Sequence, residues 1–322
     1  MENGKFIISL DFELHWGAAE KWDLNKKKDY FDQTRKGIPL TLELFEKYNI
    51  HATWATVGFL FAKNKEQLIA FCPNLKPTYL NSSLSYYNII ENNSIGIDEI
   101  DDPYHYAYSL IQKIVETPGQ ELATHTFSHY YCNEKGQMEQ QFDQDLKSAQ
   151  MLSKENFNVE LKSLVFPRNQ FNQTYAGIAY KNGIQVVRSN PDVWFWKNNF
   201  KFAFLARAID TLFPISKTLT FEKSESIKSI KDTYLLLPAS RFLRPYGENE
   251  KMIQKLKLRR ILKEMTFAAK NSRCYHLWWH PHNFGYFLNE NLENLETILK
   301  HYDMLKNQYG FSSKSMIEMY QN

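Results

Sequence analysis

Lys5-Phe6-Ile7-Ile8-Ser9-Leu10-Asp11-Phe12-Glu13 is a short apolar run that stops on two acids. Such a run reads as a buried strand, and the residues that end it carry charge and chemistry. The same arrangement recurs down the chain. Glu121-Leu122-Ala123-Thr124 runs into His125, and Lys162 to Phe166 into Pro167-Arg168. Ile184 to Arg188 is followed by Ser189-Asn190-Pro191-Asp192, and Cys274 to Trp279 by His280. In barrels built from β-α units, the loops at the carboxyl ends of the strands form the active site. Asp11, His125, Arg168, Asp192 and His280 all fall at such places.

Between these strands the spacing predicts helices. Ile38, Leu40, Leu42, Leu44 and Phe45 form one pattern, ahead of a strand at His51-Ala52-Thr53-Trp54-Ala55-Thr56-Val57 and then Gly58. Phe59 to Phe71 is amphipathic. From residue 72 to 102 the periodicity fails and Pro, Asn and Ser are frequent, which predicts an inserted loop region. Helices are expected over 104–116, 137–156, 172–182 and 290–308, with a further strand at Tyr234 to Leu237. Glu248 to Lys270 reads as a long basic helix, with Lys251, Lys255, Lys257, Arg259 and Lys263 spread around an apolar stripe. Alternating strands and helices argue for a parallel sheet, closed or nearly closed into a barrel. The absence of repeats and low-complexity linkers favours one domain over residues 1–322.

The bulk properties exclude rather than select. The chain has 322 residues, 43% of them apolar, enough for a sizeable core. A formal charge of +3 provides no global field for recruiting nucleic acid. No stretch has the length of a secretory signal or a bilayer span. Cys72, Cys132 and Cys274 are odd in number and scattered, as reduced thiols are. A cytoplasmic protein is the expectation.

Asp11 and Glu13 stand two apart, so in extended chain they share a face and both can enter one pocket. Taken alone, such acids also simply end a strand and cap the next element. His125-Thr126-Phe127-Ser128-His129 offers two imidazoles at a spacing that puts both on one side of a helical turn. Thr126 stands where a zincin would carry Glu, so this is not that protease motif. With Asp11 or Glu13 the pair makes a carboxylate–His–His set, an open metal site. Arg168 can hold a carboxylate through paired hydrogen bonds, or make an ordinary surface ion pair. Asp192 adds an acid beside Trp194. His280 is a general-acid candidate because imidazole titrates near neutrality, while His276 is expected in the core. Trp16, Trp194, Trp196, Trp278 and Trp279 lie near these residues and could stack on sugar rings, although core packing accounts for most such residues. No Gly-x-Ser-x-Gly elbow, phosphate-binding glycine loop or dinucleotide fingerprint is present.

In their order these motifs resemble the polysaccharide deacetylase family, also called the NodB-homology or carbohydrate esterase 4 group. The resemblance runs from about residue 5 to the C-terminus. Its most specific parts are Ser9 to Glu13, His51 to Gly58, Glu121 to His129, Phe166-Pro167-Arg168-Asn169-Gln170 and Leu277-Trp278-Trp279-His280. It implies an irregular (β/α) barrel of about seven parallel strands and a divalent metal, with zinc the first expectation. The implied activity removes an N-acyl group, acetyl first, from a sugar.

Carried over by position, the resemblance makes His125 and His129 metal ligands, Asp11 the catalytic base and His280 the acid. Arg168 would orient the base and Asp192 the acid imidazole. The family's second acid usually follows the first directly, whereas here Phe12 intervenes. Some relatives space the two acids by one residue, so Glu13 is taken as the third ligand, with the choice between Asp11 and Glu13 left open. Arg168 also departs from the pattern, because it follows Pro167 where the usual Arg precedes its Pro pair. His282 has no counterpart. The expected substrate is a nucleotide-linked, lipid-linked or oligosaccharide precursor of a surface polysaccharide, with the basic helix available for peripheral contact with a membrane surface. Two alternatives remain: a cyclic-amide or deformylating hydrolase on the same fold, and a non-catalytic glycan-binding barrel.

Overall fold

The computed structural model describes residues 3–191, 193–196, 210, 218–223, 234–248 and 251–321, with main chain only at 251 and 252. The first strand, β1 (Lys5–Phe12), is buried along nearly its whole length. It pairs in parallel with β2 (Ala52–Thr56) on one side and with β8 (Cys274–Trp279) on the other. Burial on both faces explains why these strands read as near-continuous apolar runs rather than alternating ones. From β2 the sheet continues through β3 (Gln120–Thr124), β4 (Ser163–Val165), β5 (Val186–Ser189) and β6 (Leu235–Pro238). Beyond β8 it ends on β7 (Arg241–Phe242), and β9 (Ser312–Lys314) lies beside the first residues of β1. Among the described residues every pairing between these strands is parallel, and the strand order is 6-5-4-3-2-1-8-7, an irregular (β/α) barrel with eight strands on one path. The expectation was about seven. The difference lies in β7, and β9 adds a short strand off the path. At two and three residues neither is long enough to show a period in sequence.

Helices fill the crossovers: α1 (Lys28–Lys47), α2 (Lys65–Phe71), α3 (Tyr87–Glu91), α4 (Tyr108–Glu116), α5 (Glu139–Phe157), α6 (Gln173–Lys181), α7 (Lys251–Lys270), α8 (Leu288–Tyr309) and α9 (Met316–Gln321). The first begins well before its expected apolar pattern. Tyr30, Phe31, Thr34, Gly37, Ile38, Thr41, Leu42 and Phe45 are its buried positions. They form one stripe at helical spacing, partly hidden in the sequence by Thr and Gly at core positions. The 72–102 region holds α3 and a short 3-10 turn at Ser82–Leu84, and it buries Tyr86, Tyr87 and Ile90 against the barrel. No helix among the described residues is long and apolar enough to cross a membrane.

One buried ionic cluster joins β7, α7 and β8. Arg241 donates from Nε to Glu264 Oε2 at 2.8 Å and from a terminal nitrogen to Oε1 at 2.7 Å. Tyr275 donates its hydroxyl to the same carboxylate at 3.1 Å, and Asp210 lies 3.3 Å from both Arg241 and Arg260. Removing one partner of a buried pair leaves its counter-charge without compensation, at a cost of about 3–5 kcal/mol. Glu264→Gln should therefore lower the unfolding free energy by that amount, seen in equilibrium unfolding as a lower denaturant midpoint with the slope unchanged.

A candidate metal centre and active site

The carboxyl ends of the central strands bring the charged residues together. Asp11 lies within β1, not after it, because the strand runs on to Phe12; Glu13 is the first residue beyond. Both side chains are buried. Glu13 turns back beside Gly17, where any side chain would collide, since a Cβ there would stand 1.9 Å from Glu13 Oε2. Gly17 thus makes the room that the carboxylate occupies.

Asp11 is held by Arg188 of β5, a residue that strand-end reasoning passes over. The guanidinium donates to Asp11 Oδ1 at 2.6 Å and to Oδ2 at 2.7 Å. It also donates to Ser9 Oγ at 3.0 Å and Asn169 Oδ1 at 3.1 Å, and it lies over the Trp278 ring. Burial pushes the Asp11 carboxyl up, but Arg188, His125 and His280 together pull it below the usual range. The geometry is the bidentate fork that favours arginine over lysine. A charged residue at the end of the apolar run Val186-Val187-Arg188 was the signal available in sequence, because a buried charge requires a partner.

His125 and His129 do not lie on a helical turn. They bracket a loop in which Thr126 and His129 adopt left-handed backbone, at φ 65° and 58°. Asp145, on the buried stripe of α5, holds this loop from below. It accepts from Phe127 N–H at 2.7 Å, Ser128 N–H at 3.1 Å and the Ser128 hydroxyl at 2.5 Å. From the side, Gly58 N–H and Phe59 N–H donate to Thr126 and Phe127 carbonyls, each at 2.9 Å. A Cβ at Gly58 would come within 2.8 Å of Phe127 Cα, so glycine is required for that approach.

These supports aim both imidazoles at Glu13. His125 Nε2 stands 3.0 Å and His129 Nε2 3.2 Å from Glu13 Oε1. One ligand atom from each of the three residues lies within 4.8 Å of the others. His125 Nδ1 is 2.8 Å from the Val165 carbonyl, which can only accept, so Nδ1 carries the proton. In the neutral ring, Nε2 then presents a lone pair to a carboxylate oxygen, an arrangement of facing acceptors that a cation relieves. Burial pushes Glu13 up, while His280, His125 and His129 hold it well below the usual carboxylate range. A carboxylate and two imidazole nitrogens, all buried, are a donor set that could hold a divalent metal ion.

The family model described as polysaccharide deacetylase matches residues 30–187. Over that stretch, just under half of its length, the chain is similar to the polysaccharide deacetylase family. The matched stretch contains both histidines and Arg168, while Asp11, Glu13, Arg188 and His280 lie outside it. In three dimensions the chain is similar to a protein assigned as a polysaccharide deacetylase from Mycobacterium smegmatis, at 11% identity and a TM-score of 0.64, over 99% of this chain and 90% of that one. A second assigned polysaccharide deacetylase, from Pseudomonas aeruginosa PAO1, gives 10% identity and a TM-score of 0.55, over 98% and 89%. The allantoinase PuuE gives 10% and 0.56, over 98% and 88%. No curated protein matches the chain by sequence.

The remaining expected residues divide. His280 projects from the end of β8 with Nε2 at 3.7 Å from both Asp11 Oδ2 and Glu13 Oε1. His282 stacks on it, with ring centres 4.9 Å apart, and its Nδ1 lies 3.8 Å from Glu13 Oε2. Burial, reinforced by His280, pushes His282 down to about 3, so it is neutral at physiological pH. His276 is buried in the sheet against Ser9, as a core residue. Arg168 does not reach Asp11. It pairs instead with Glu20 and lies over the Tyr131 ring, because Arg168 and Asn169 both adopt left-handed backbone and turn the side chain away. Asp192 lies outside the described residues. Of the tryptophans, Trp16 and Trp279 are core, whereas Trp196 and Trp278 line a cavity that adjoins His280 together with Phe195, Phe242 and Arg244.

Burial pushes the Asp145 carboxyl up to about 7, against its hydrogen bonds from Ser128 and Phe127. A raised folded-state value favours the protonated form, so this contribution is complete at acid pH and fades as pH rises from about 4 to about 7. Across that window the natural chain should lose stability with rising pH relative to Asp145→Asn, and the difference between their unfolding midpoints separates this carboxyl from the buried histidines, which act in the opposite sense.

Proposed function

We propose that this chain is a metal-dependent hydrolase that removes an N-acyl group, acetyl first, from a sugar. The observation that carries the reading is the convergence of Glu13, His125 and His129 beside a separately held Asp11. The match of residues 30–187 to the polysaccharide deacetylase family supports the deacetylase class. Glu13, His125 and His129 would hold the divalent cation, zinc in first place. When bound, that ion supplies Lewis acidity at the acyl carbonyl and toward water. Asp11, kept ionised and oriented by Arg188, takes the proton of the attacking water. His280 gives a proton to the departing amine nitrogen, and a partly exposed imidazole near both carboxylates suits that role. Trp196 and Trp278, beside His280, offer aromatic faces to the sugar.

The test combines metal content with acetate release from N-acetylated sugars. His125→Ala and His129→Ala should each lose a tightly bound ion and all turnover. Asp11→Asn should keep the ion and lose about 10²- to 10⁴-fold in kcat. Glu13→Gln should weaken ion binding. Unchanged metal content in both histidine variants, or full activity without Asp11, would overturn the reading. The fold likeness to an allantoinase makes a cyclic amide the second substrate class, and ring opening of a hydantoin-type substrate without acetate release would favour it.

The carrier of the sugar is a separate proposal. Along α7, Lys255, Arg259, Lys263 and Lys270 are exposed together with Leu256 and Phe267, whereas Lys257 is buried. The basic residues therefore form one face rather than the broad spread expected. Such a face suits peripheral contact with an anionic membrane that presents a lipid-linked sugar, each cation contributing about 1 kcal/mol. Co-sedimentation with phosphatidylserine vesicles should be strong at low salt, weak at high salt and lost in Lys255→Glu/Arg259→Glu/Lys263→Glu. Equal sedimentation of both proteins would leave a soluble nucleotide-linked or oligosaccharide substrate.

A further inference from the structure

His129 faces Glu13 with one ring nitrogen and a phenol with the other. Its Nδ1 lies 2.9 Å from the Tyr131 hydroxyl, and that oxygen lies 2.8 Å from the Tyr86 hydroxyl. Tyr86 in turn donates to Glu20 Oε2, and Glu20 Oε1 receives the Arg168 guanidinium. Arg168 folds back over the Tyr131 ring, 4.2 Å from its centre. His129, Tyr131 and Tyr86 are buried, and Arg168 alone among the five keeps its side chain well exposed, at 29%.

The proton positions along this chain of contacts depend on what each group can do. A guanidinium only donates, and the carboxylate paired with it only accepts. Tyr86 therefore spends its single proton on Glu20. A phenol, with an ordinary pKa of about 10, keeps its proton at neutral pH. Tyr131 must then donate to Tyr86, which leaves its own oxygen as the acceptor for His129. The proton of that last contact belongs to His129 Nδ1.

We infer that Tyr131, Tyr86 and Glu20, closed by Arg168, form a directional hydrogen-bond relay that fixes the His129 tautomer and so positions its Nε2 lone pair toward the cation. The inference rests on the metal-site reading above, but the tautomer itself is a property of the metal-free chain. It assigns Arg168 a positioning role through three other residues, in place of contact with Asp11. It also gives the 72–102 region a task, because Tyr86 comes from that segment while Glu20, Tyr131 and Arg168 come from three other loops at the same end of the barrel. Outer partners of this kind set ligand orientation and basicity, and their loss weakens metal affinity by about 10- to 100-fold.

The sharpest consequence concerns Tyr86, which touches no ligand of the proposed site through a hydrogen bond of its own. In Tyr86→Phe, Tyr131 no longer has an acceptor ahead of it and turns its proton toward His129 Nδ1. The ring then carries its proton on Nε2, facing Glu13, where it competes with a cation. In the metal-free natural chain labelled with ¹⁵N-histidine, NMR should report His129 protonated at Nδ1. In Tyr86→Phe the proton should move to Nε2. Zinc affinity, measured by competition with a chromophoric chelator, should weaken about 10- to 100-fold in Tyr86→Phe and in Tyr131→Phe. Phe preserves ring and volume, and near-ultraviolet circular dichroism checks that the fold is retained. A natural chain protonated at Nε2, or a Tyr86→Phe variant with the natural tautomer, would overturn the relay. If the natural chain and His129→Ala bind zinc equally poorly, the metal reading fails, and the tautomer measurement still decides the relay.

Discussion

Facing acceptors are the constraint around which this molecule is arranged. Glu13 Oε1 faces two imidazole nitrogens at 3.0 and 3.2 Å inside a buried pocket. Without a proton or a cation between them, such groups repel in a medium where electrostatic effects are strong. The surrounding structure nonetheless directs them inward. Val165 holds His125 by its far nitrogen, Tyr131 contacts the far nitrogen of His129, and Gly17 clears the volume for the carboxylate. Each device costs some freedom of sequence or backbone, and none serves the apolar core. Their common effect is to keep three donors in place for something positively charged.

Two carboxylates two residues apart acquire different characters from their neighbours. Asp11 faces a guanidinium that grips both of its oxygens, so its charge is balanced by the protein itself. Glu13 faces imidazoles, whose charge depends on their protons, and a bound cation would take over that balance. The same chain segment thereby presents one acid with fixed compensation and one whose compensation depends on occupancy. This division explains why Phe12 can stand between them: its buried ring packs against Trp54 while the acids on either side enter the site. His280 lies 3.7 Å from both, where it can sense each.

The central strands and their terminal residues were legible in the sequence because burial on both faces leaves unbroken apolar runs, and each run stops on a polar residue. Asp11, Glu13, His125, His129 and His280 were found by that rule, and the structure brings all five together. Arg188 is hidden in sequence because it lies within a strand, after Val186 and Val187, rather than beyond its end, although a buried charge there needs a partner. Arg168 was misassigned because strand-end position alone does not reveal direction, and left-handed backbone at 168 and 169 turns it toward Glu20. Tyr86, Tyr131, Glu20 and Asp145 could not be found by position, since their contacts depend on loops and a helix meeting across long sequence separations. The basic helix illustrates the same limit: its composition was visible, but the burial of Lys257 depends on packing.

The backbone strain of the site has a local explanation. Thr126 is β-branched and takes φ 65°, a conformation that costs such a residue more than most. Its hydroxyl donates to the His125 carbonyl at 2.6 Å and accepts from Tyr130 N–H at 2.6 Å, and its carbonyl receives Gly58 N–H. Asp145 fixes the next two residues of the loop, and left-handed backbone at His129 ends it. A helical turn would also have placed the two imidazoles four residues apart on one side, with less strain. In the strained loop Phe127 and Ser128 bind the Asp145 carboxylate, and this anchors both histidines to the barrel through α5. Rigidity of the histidine pair, rather than its spacing alone, is what the unusual backbone provides.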